Sequence, residues 1–157
     1  MPINRILKVL TIVGVLLLVS QQSGAQTPQG GKLGAARSLK CTFPLITNGI
    51  WTDGQPEAAV KPASLVVEFE SVNTDEGSAQ LKGGFGTYDI VVRLSSGYLH
   101  FIQAFRDGPL YTTTVFEKQS SGEKLKAVHS RHEITDRALT GYTSSPEQYY
   151  GECEILN

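Results

Sequence analysis

Apolar and polar positions alternate with a period of two along most of this chain. Leu65, Val67 and Phe69 fall on one face of residues 64–72, with Glu68 and Glu70 on the other. Residues 88–94 repeat the pattern, setting Tyr88, Ile90, Val92 and Leu94 against Asp89, Val91 and Arg93. A period of two marks half-buried strands. Similar runs cover 39–43, 98–105, 110–116, 124–132 and 148–155. Turn chemistry separates them, notably Ser95-Ser96-Gly97 and Arg106-Asp107-Gly108-Pro109. No helical stripe exceeds ten residues, and the best helical candidate, 133–139, is short. The pattern predicts an all-β fold: an antiparallel meander, closed into a barrel of about eight strands.

The first 25 residues break this pattern. Arg5 and Lys8 precede an apolar run of eleven residues from Val9 to Val19, and Ser23-Gly24-Ala25 supplies small residues before a cut at Gln26. That is the layout of a secretory signal peptide, too short for a bilayer span of about 20 residues. Residues 26–38 are rich in Gly, Gln, Ala and Pro and read as a flexible arm that buries nothing. One β-barrel domain is then expected over 39–157. The mature chain of 132 residues is long enough for a core. It carries twelve basic against fifteen acidic residues, a net charge of −3. Without a basic run, a nucleic-acid partner is excluded. No second long apolar segment follows, so no membrane span is expected in the mature chain. Localisation is read as exported, periplasmic or extracellular.

Cys41 and Cys153 are the only cysteines. In an oxidising compartment the expectation is one disulfide. It would link the first strand to the last, and the two strands must then be neighbours, as closure requires.

The order Tyr111-Thr112-Thr113-Thr114-Val115-Phe116, then Ala127-Val128-His129-Ser130-Arg131-His132, then Pro146-Glu147-Gln148-Tyr149-Tyr150-Gly151-Glu152-Cys153 resembles a set of small exported bacterial β-rich proteins of unassigned function. The overall layout is similar to lipocalin-like barrels. The resemblance implies a small exported β-domain and transfers no catalytic residue.

The densest polar cluster is His129-Ser130-Arg131-His132-Glu133. On a strand, His129 and Arg131 share one face, and Ser130 and His132 the other. A histidine near neutral pKa can act as general base, with Arg131 holding an anion in a forked contact. The plainer reading is a strand end whose polar groups bond a neighbouring loop. His100 completes a trio of histidines, but its spacing to His129 carries no zinc signature, so no metal and no cofactor are expected. Ser130 lacks a nucleophile elbow. Gly83-Gly84-Phe85-Gly86 leads into a strand rather than a helix and reads as a bend, not a phosphate cradle. Tyr142, Tyr149 and Tyr150, in or beside the longest C-terminal loop, are candidates for a binding surface.

The sequence therefore favours a non-enzymatic exported barrel that binds a small apolar ligand or a protein partner. The alternative is a small barrel enzyme, an isomerase or hydrolase, using His129 or His132 with Arg131 at one mouth. A structural envelope component with a filled interior is the third reading.

Overall fold

The computed structural model describes residues 31–84, 86–106, 108–120, 122–133 and 145–156. The signal peptide, Tyr142 and most of the helical candidate at 133–139 lie outside them. Eight antiparallel strands follow one another around a closed barrel: β1 Ser38–Thr52, β2 Gln55–Asn73, β3 Ser78–Gly83, β4 Gly86–Ser95, β5 Tyr98–Ala104, β6 Leu110–Gln119, β7 Leu125–His132 and β8 Glu147–Leu156. The meander closes where β1 pairs with β8, and there Cys41 stands directly opposite Cys153. The two cysteines form the expected disulfide, with Cα atoms 4.0 Å apart. No described helix is long and apolar enough to cross a membrane.

Alternation places the core as expected. Leu39, Cys41 and Phe43 of β1, Val67 and Phe69 of β2, Ile90 and Val92 of β4, and Leu99 and Phe101 of β5 all point inward and are buried. Phe69 and Phe101 stack across the interior with ring centroids 3.7 Å apart. An eight-stranded barrel is just wide enough for side chains to fill it. Here they do. The interior space beside Phe69, Phe101 and His129 is only about 20 Å³, room for a single water.

One expectation needs correction. Residues 31–38 do not form a featureless arm: Gly31–Ala35 make a short helix, α1, and Leu33 is fully buried in the barrel core with Ala36 beside it. Gly31 opens the turn in a left-handed conformation (φ 58°), and the Lys32 backbone N–H donates to Glu117 Oε1 at 2.7 Å. A barrel end exposes the last core layer to water, and one leucine on a short helix is enough to cover it. The folded unit thus begins before Leu39. Residues 26–30 lie outside the described residues.

β1 and β2 outrun their neighbours. β8 accompanies β1 only as far as Asn48, and β3 joins β2 only from Glu68. Beyond Asn48 the two strands pair with each other alone, from Gly49↔Ala58 to Thr52↔Gln55. Asp53 and Gly54, both at positive φ (50° and 78°), close the hairpin, which is the geometry of a two-residue primed turn.

Candidate functional site

Two places on this frame concentrate chemistry, one inside the barrel and one on its outer wall.

The inner cluster gathers at the mouth beneath the long hairpin. As expected, His129 and Arg131 share the inner face of β7, while His132 is exposed on the outer face. His129 is buried against Phe43, Tyr111 and Tyr149, with ring centroids 5.8, 6.2 and 5.8 Å away. Arg131 Nε donates to His129 Nε2 at 3.3 Å, which leaves the ring proton on Nδ1 to donate to Thr113 Oγ1 at 2.8 Å. A second proton would set an imidazole N–H against the arginine N–H. Burial first, and the Arg131 charge second, accordingly push the His129 pKa down to about 3.

The guanidinium itself lies between two tyrosine rings, its Cζ 5.3 Å from the centroids of both Tyr111 and Tyr149. Both phenols donate to carboxylates, Tyr111 to Glu133 at 2.5 Å and Tyr149 to Glu147 at 2.6 Å. Asn48 Nδ2 donates to the other oxygen of Glu147 at 3.0 Å. Burial and the bond to Glu147 raise the Tyr149 pKa to about 12. Among the described residues no buried side-chain polar atom lacks a partner. A neutral histidine, sealed by bonds on both nitrogens, faces a space that admits one water. This cluster is a polar plug whose buried side-chain groups all have partners among the described residues.

His100 faces outward from β5, its Nδ1 3.0 Å from Thr114 Oγ1, so it and His129 sit on opposite sides of the wall. Among the described residues no three His, Cys, Asp or Glu side chains converge as metal ligands. The tyrosine candidates also separate. Tyr149 points into the barrel and Tyr150 points out.

Tyr150 belongs to the second place, a half-open groove of about 870 Å³ on the outer face of β1, β6, β7 and β8. Its floor is apolar: Leu45, Phe116, Val128 and Tyr150. Its rim carries Lys40, Lys118, Lys124 and Lys126 together with Glu152 and Glu154. The concavity has a cause in the sequence. Pro44 lacks an N–H and can lie in a doubly paired strand only at a bulge, and β1 slips register there against both neighbours. Opposite it sits Gly151, where a Cβ would stand 2.0 Å from the Thr42 carbonyl oxygen. The bulge and the missing side chain together draw the wall inward. A further slip, between Val115 and Gln119, bends β6 at the far rim.

Lys40 is held by Glu68 at 3.0 Å, which pulls the Glu68 pKa below its usual value. The other three lysines form no ion pair among the described residues. Sequence reasoning reached one floor residue, Tyr150, and missed the rest. The one available signal was a proline between two strand-like runs. Comparison of the chain with protein-family models, with curated proteins and with solved structures found no match.

Proposed function

We propose that this protein is an exported, non-enzymatic β-barrel that works by binding, and that its site is the groove on the outer wall. The observation that carries this reading is the contrast between the two spaces: about 20 Å³ inside and about 870 Å³ outside. Ligand sites fall at roughly 300–1,000 Å³ with apolar linings and a few directed polar groups, and the groove has that character; a smaller hollow of about 270 Å³ beside Asn48, Ser130, His132 and Glu147 is lined mostly by polar residues. Its apolar floor and three ammonium groups without an ion pair among the described residues suit an apolar body bearing negative charge. A small anionic amphiphile or an acidic, aromatic segment of a protein partner has that chemistry. Export is supported by the eleven-residue apolar leader and by the Cys41–Cys153 disulfide, which persists in oxidising compartments.

The enzyme alternative rests on His129 and Arg131. A general base must reach a substrate proton, and His129 meets only Thr113, Arg131 and aromatic rings. Room weighs against it.

The test is titration with an anionic apolar fluorophore, anilinonaphthalene sulfonate, against the protein and Tyr150→Glu. Saturable binding that weakens at high salt and is lost in Tyr150→Glu supports the groove. Equal binding by both proteins, or none, overturns it. Native mass spectrometry of protein from the exported fraction then reads any natural occupant.

A further inference from the structure

The β1–β2 hairpin reaches past the barrel as an arm. Its free part runs from Gly49 to Thr52 and back from Gln55 to Ala58, roughly 10 Å. Trp51, the only tryptophan of the chain, is 61% exposed, and Val60 is 65% exposed. A lone two-stranded ribbon gains little by displaying large apolar groups to water.

Register decides which faces are offered. Trp51 opposes Pro56, Thr47 opposes Val60 and Leu45 opposes Pro62, so these side chains share the outer face, and none is charged. Strand addition along the open edge of β2 is blocked. Pro56 and Pro62 have no N–H, and a proline fits a paired strand only with its nitrogen turned away from the partner, here toward that edge. The arm therefore docks by its face and tip. The tip also carries Asp53 and Glu57, neither with a cationic partner among the described residues, which disfavours insertion into a bilayer.

A surface with the complementary character lies on the same molecule. The groove offers an apolar floor to an indole ring, and Lys118, Lys124 and Lys126, which form no ion pair among the described residues, offer charge to Asp53 at the turn, while Glu57, opposite Ile50, lies on the other face. Ammonium groups around an indole add cation–π attraction. Trp51 and the groove sit on one continuous outer wall that meets at Leu45. A two-fold axis lying in the contact plane, midway between them and perpendicular to the line that joins them, lays two arms antiparallel and brings each Trp51 over the other copy's groove. Such a contact is isologous and closes at two.

We propose that this protein forms a reciprocal dimer in which the Trp51 tip of each hairpin arm occupies the lysine-rimmed outer groove of the second copy. The proposal rests on the groove being a binding site and names its occupant. Trp51 is its own reporter. In sedimentation velocity with parallel fluorescence, the full protein should run as a dimer with blue-shifted emission. Dilution should shift the emission red as monomer appears. Trp51→Ala and the triple variant Lys118→Glu, Lys124→Glu, Lys126→Glu should each dissociate at least tenfold more readily, with circular dichroism spectra of the folded barrel unchanged.

Mixing the two variants should restore association, because the mixed dimer keeps one intact tip–groove pair. Dimers that survive in both variants, or a mixture that stays monomeric, overturn the reciprocal contact. A monomeric wild type whose groove still binds anilinonaphthalene sulfonate overturns the dimer alone. A groove that binds neither overturns the binding reading with it. A monomer whose Trp51 emission shifts blue only with phosphatidylcholine vesicles places a membrane at the arm and overturns the dimer.

Discussion

Acidification should loosen this barrel through one residue, His129. Folded, its imidazole stays neutral down to about pH 3. Unfolded, it protonates near 6.5. Between these values the unfolded chain binds one more proton than the folded one, so stability falls as pH falls, starting near 6.5 and ending near 3. The slope is about 1.4 kcal/mol per pH unit. Moving from pH 7.5 to pH 5 crosses roughly 1.5 units of that window and should remove about 2 kcal/mol, a large share of the 5–15 typical of a domain. Urea denaturation followed by circular dichroism at the two pH values measures it. Staying at or above pH 5 keeps carboxylates out of the reading. Glu68, whose pKa is lowered by Lys40, contributes stability that is lost only as pH falls below the ordinary glutamate value. The control is His129→Gln, which retains a donor toward Thr113 and does not titrate. Its urea midpoint should move far less between the two pH values. Equal shifts in wild type and variant would refute the argument and move the acid sensitivity elsewhere.

Leu33→Ala should cost about 2–5 kcal/mol, the range for truncating a fully buried leucine; an unchanged melting curve would return α1 to a loose arm. Replacing Cys41 and Cys153 by serine should lower stability by about 2–5 kcal/mol in urea melts, since the bond closes a loop of 112 positions between the first and last strands. Gly151→Ala should destabilise by about 1–3 kcal/mol through overpacking, because its Cβ would meet backbone atoms Thr42 O at 2.0 Å and Phe43 Cα at 2.7 Å. If the wall relaxes instead, anilinonaphthalene sulfonate binding will change while the melt does not.

Strands that are half buried announce themselves, and the cores of β2, β4, β5, β6, β7 and β8 were legible for that reason. So was the disulfide, because closing a meander brings its ends together. β3 was not: Ser78–Gly83 buries only Ala79, too little contrast for a period to show. The outer half of β1 and the first half of β2 carry Pro44, Pro56 and Pro62 with a run of alanines, residues that read as loop by propensity. These segments are strands because they pair with each other, and Asp53-Gly54 between them was the available hairpin signal. Leu33 was lost as a lone leucine among glycines and alanines. His129 and Arg131 were placed on one face correctly, but only packing reveals that the pair is sealed. Of the groove only Pro44 gave a sign in the sequence, since the hollow arises where a bulge in β1 meets a glycine in β8.

The aromatic residues divide along the same line. Phe43, Phe69 and Phe101 fill the barrel, and Tyr111 and Tyr149 close its mouth by bonding carboxylates and flanking Arg131. Every one of these has its partners, so none can gain much from a further molecule. Trp51 remains 61% exposed, and Tyr150 38% exposed on the groove floor. Association draws its energy from apolar area still in water, and on this molecule that area lies outside the wall. The length mismatch between β1–β2 and their neighbours then supplies a projecting tip, and the Pro44 bulge supplies a hollow of opposite charge on the same surface. Both come from the one strand that also carries the disulfide. A change that loosens β1 should therefore weaken stability and binding together, whereas changes at Trp51 or the lysines should weaken binding alone.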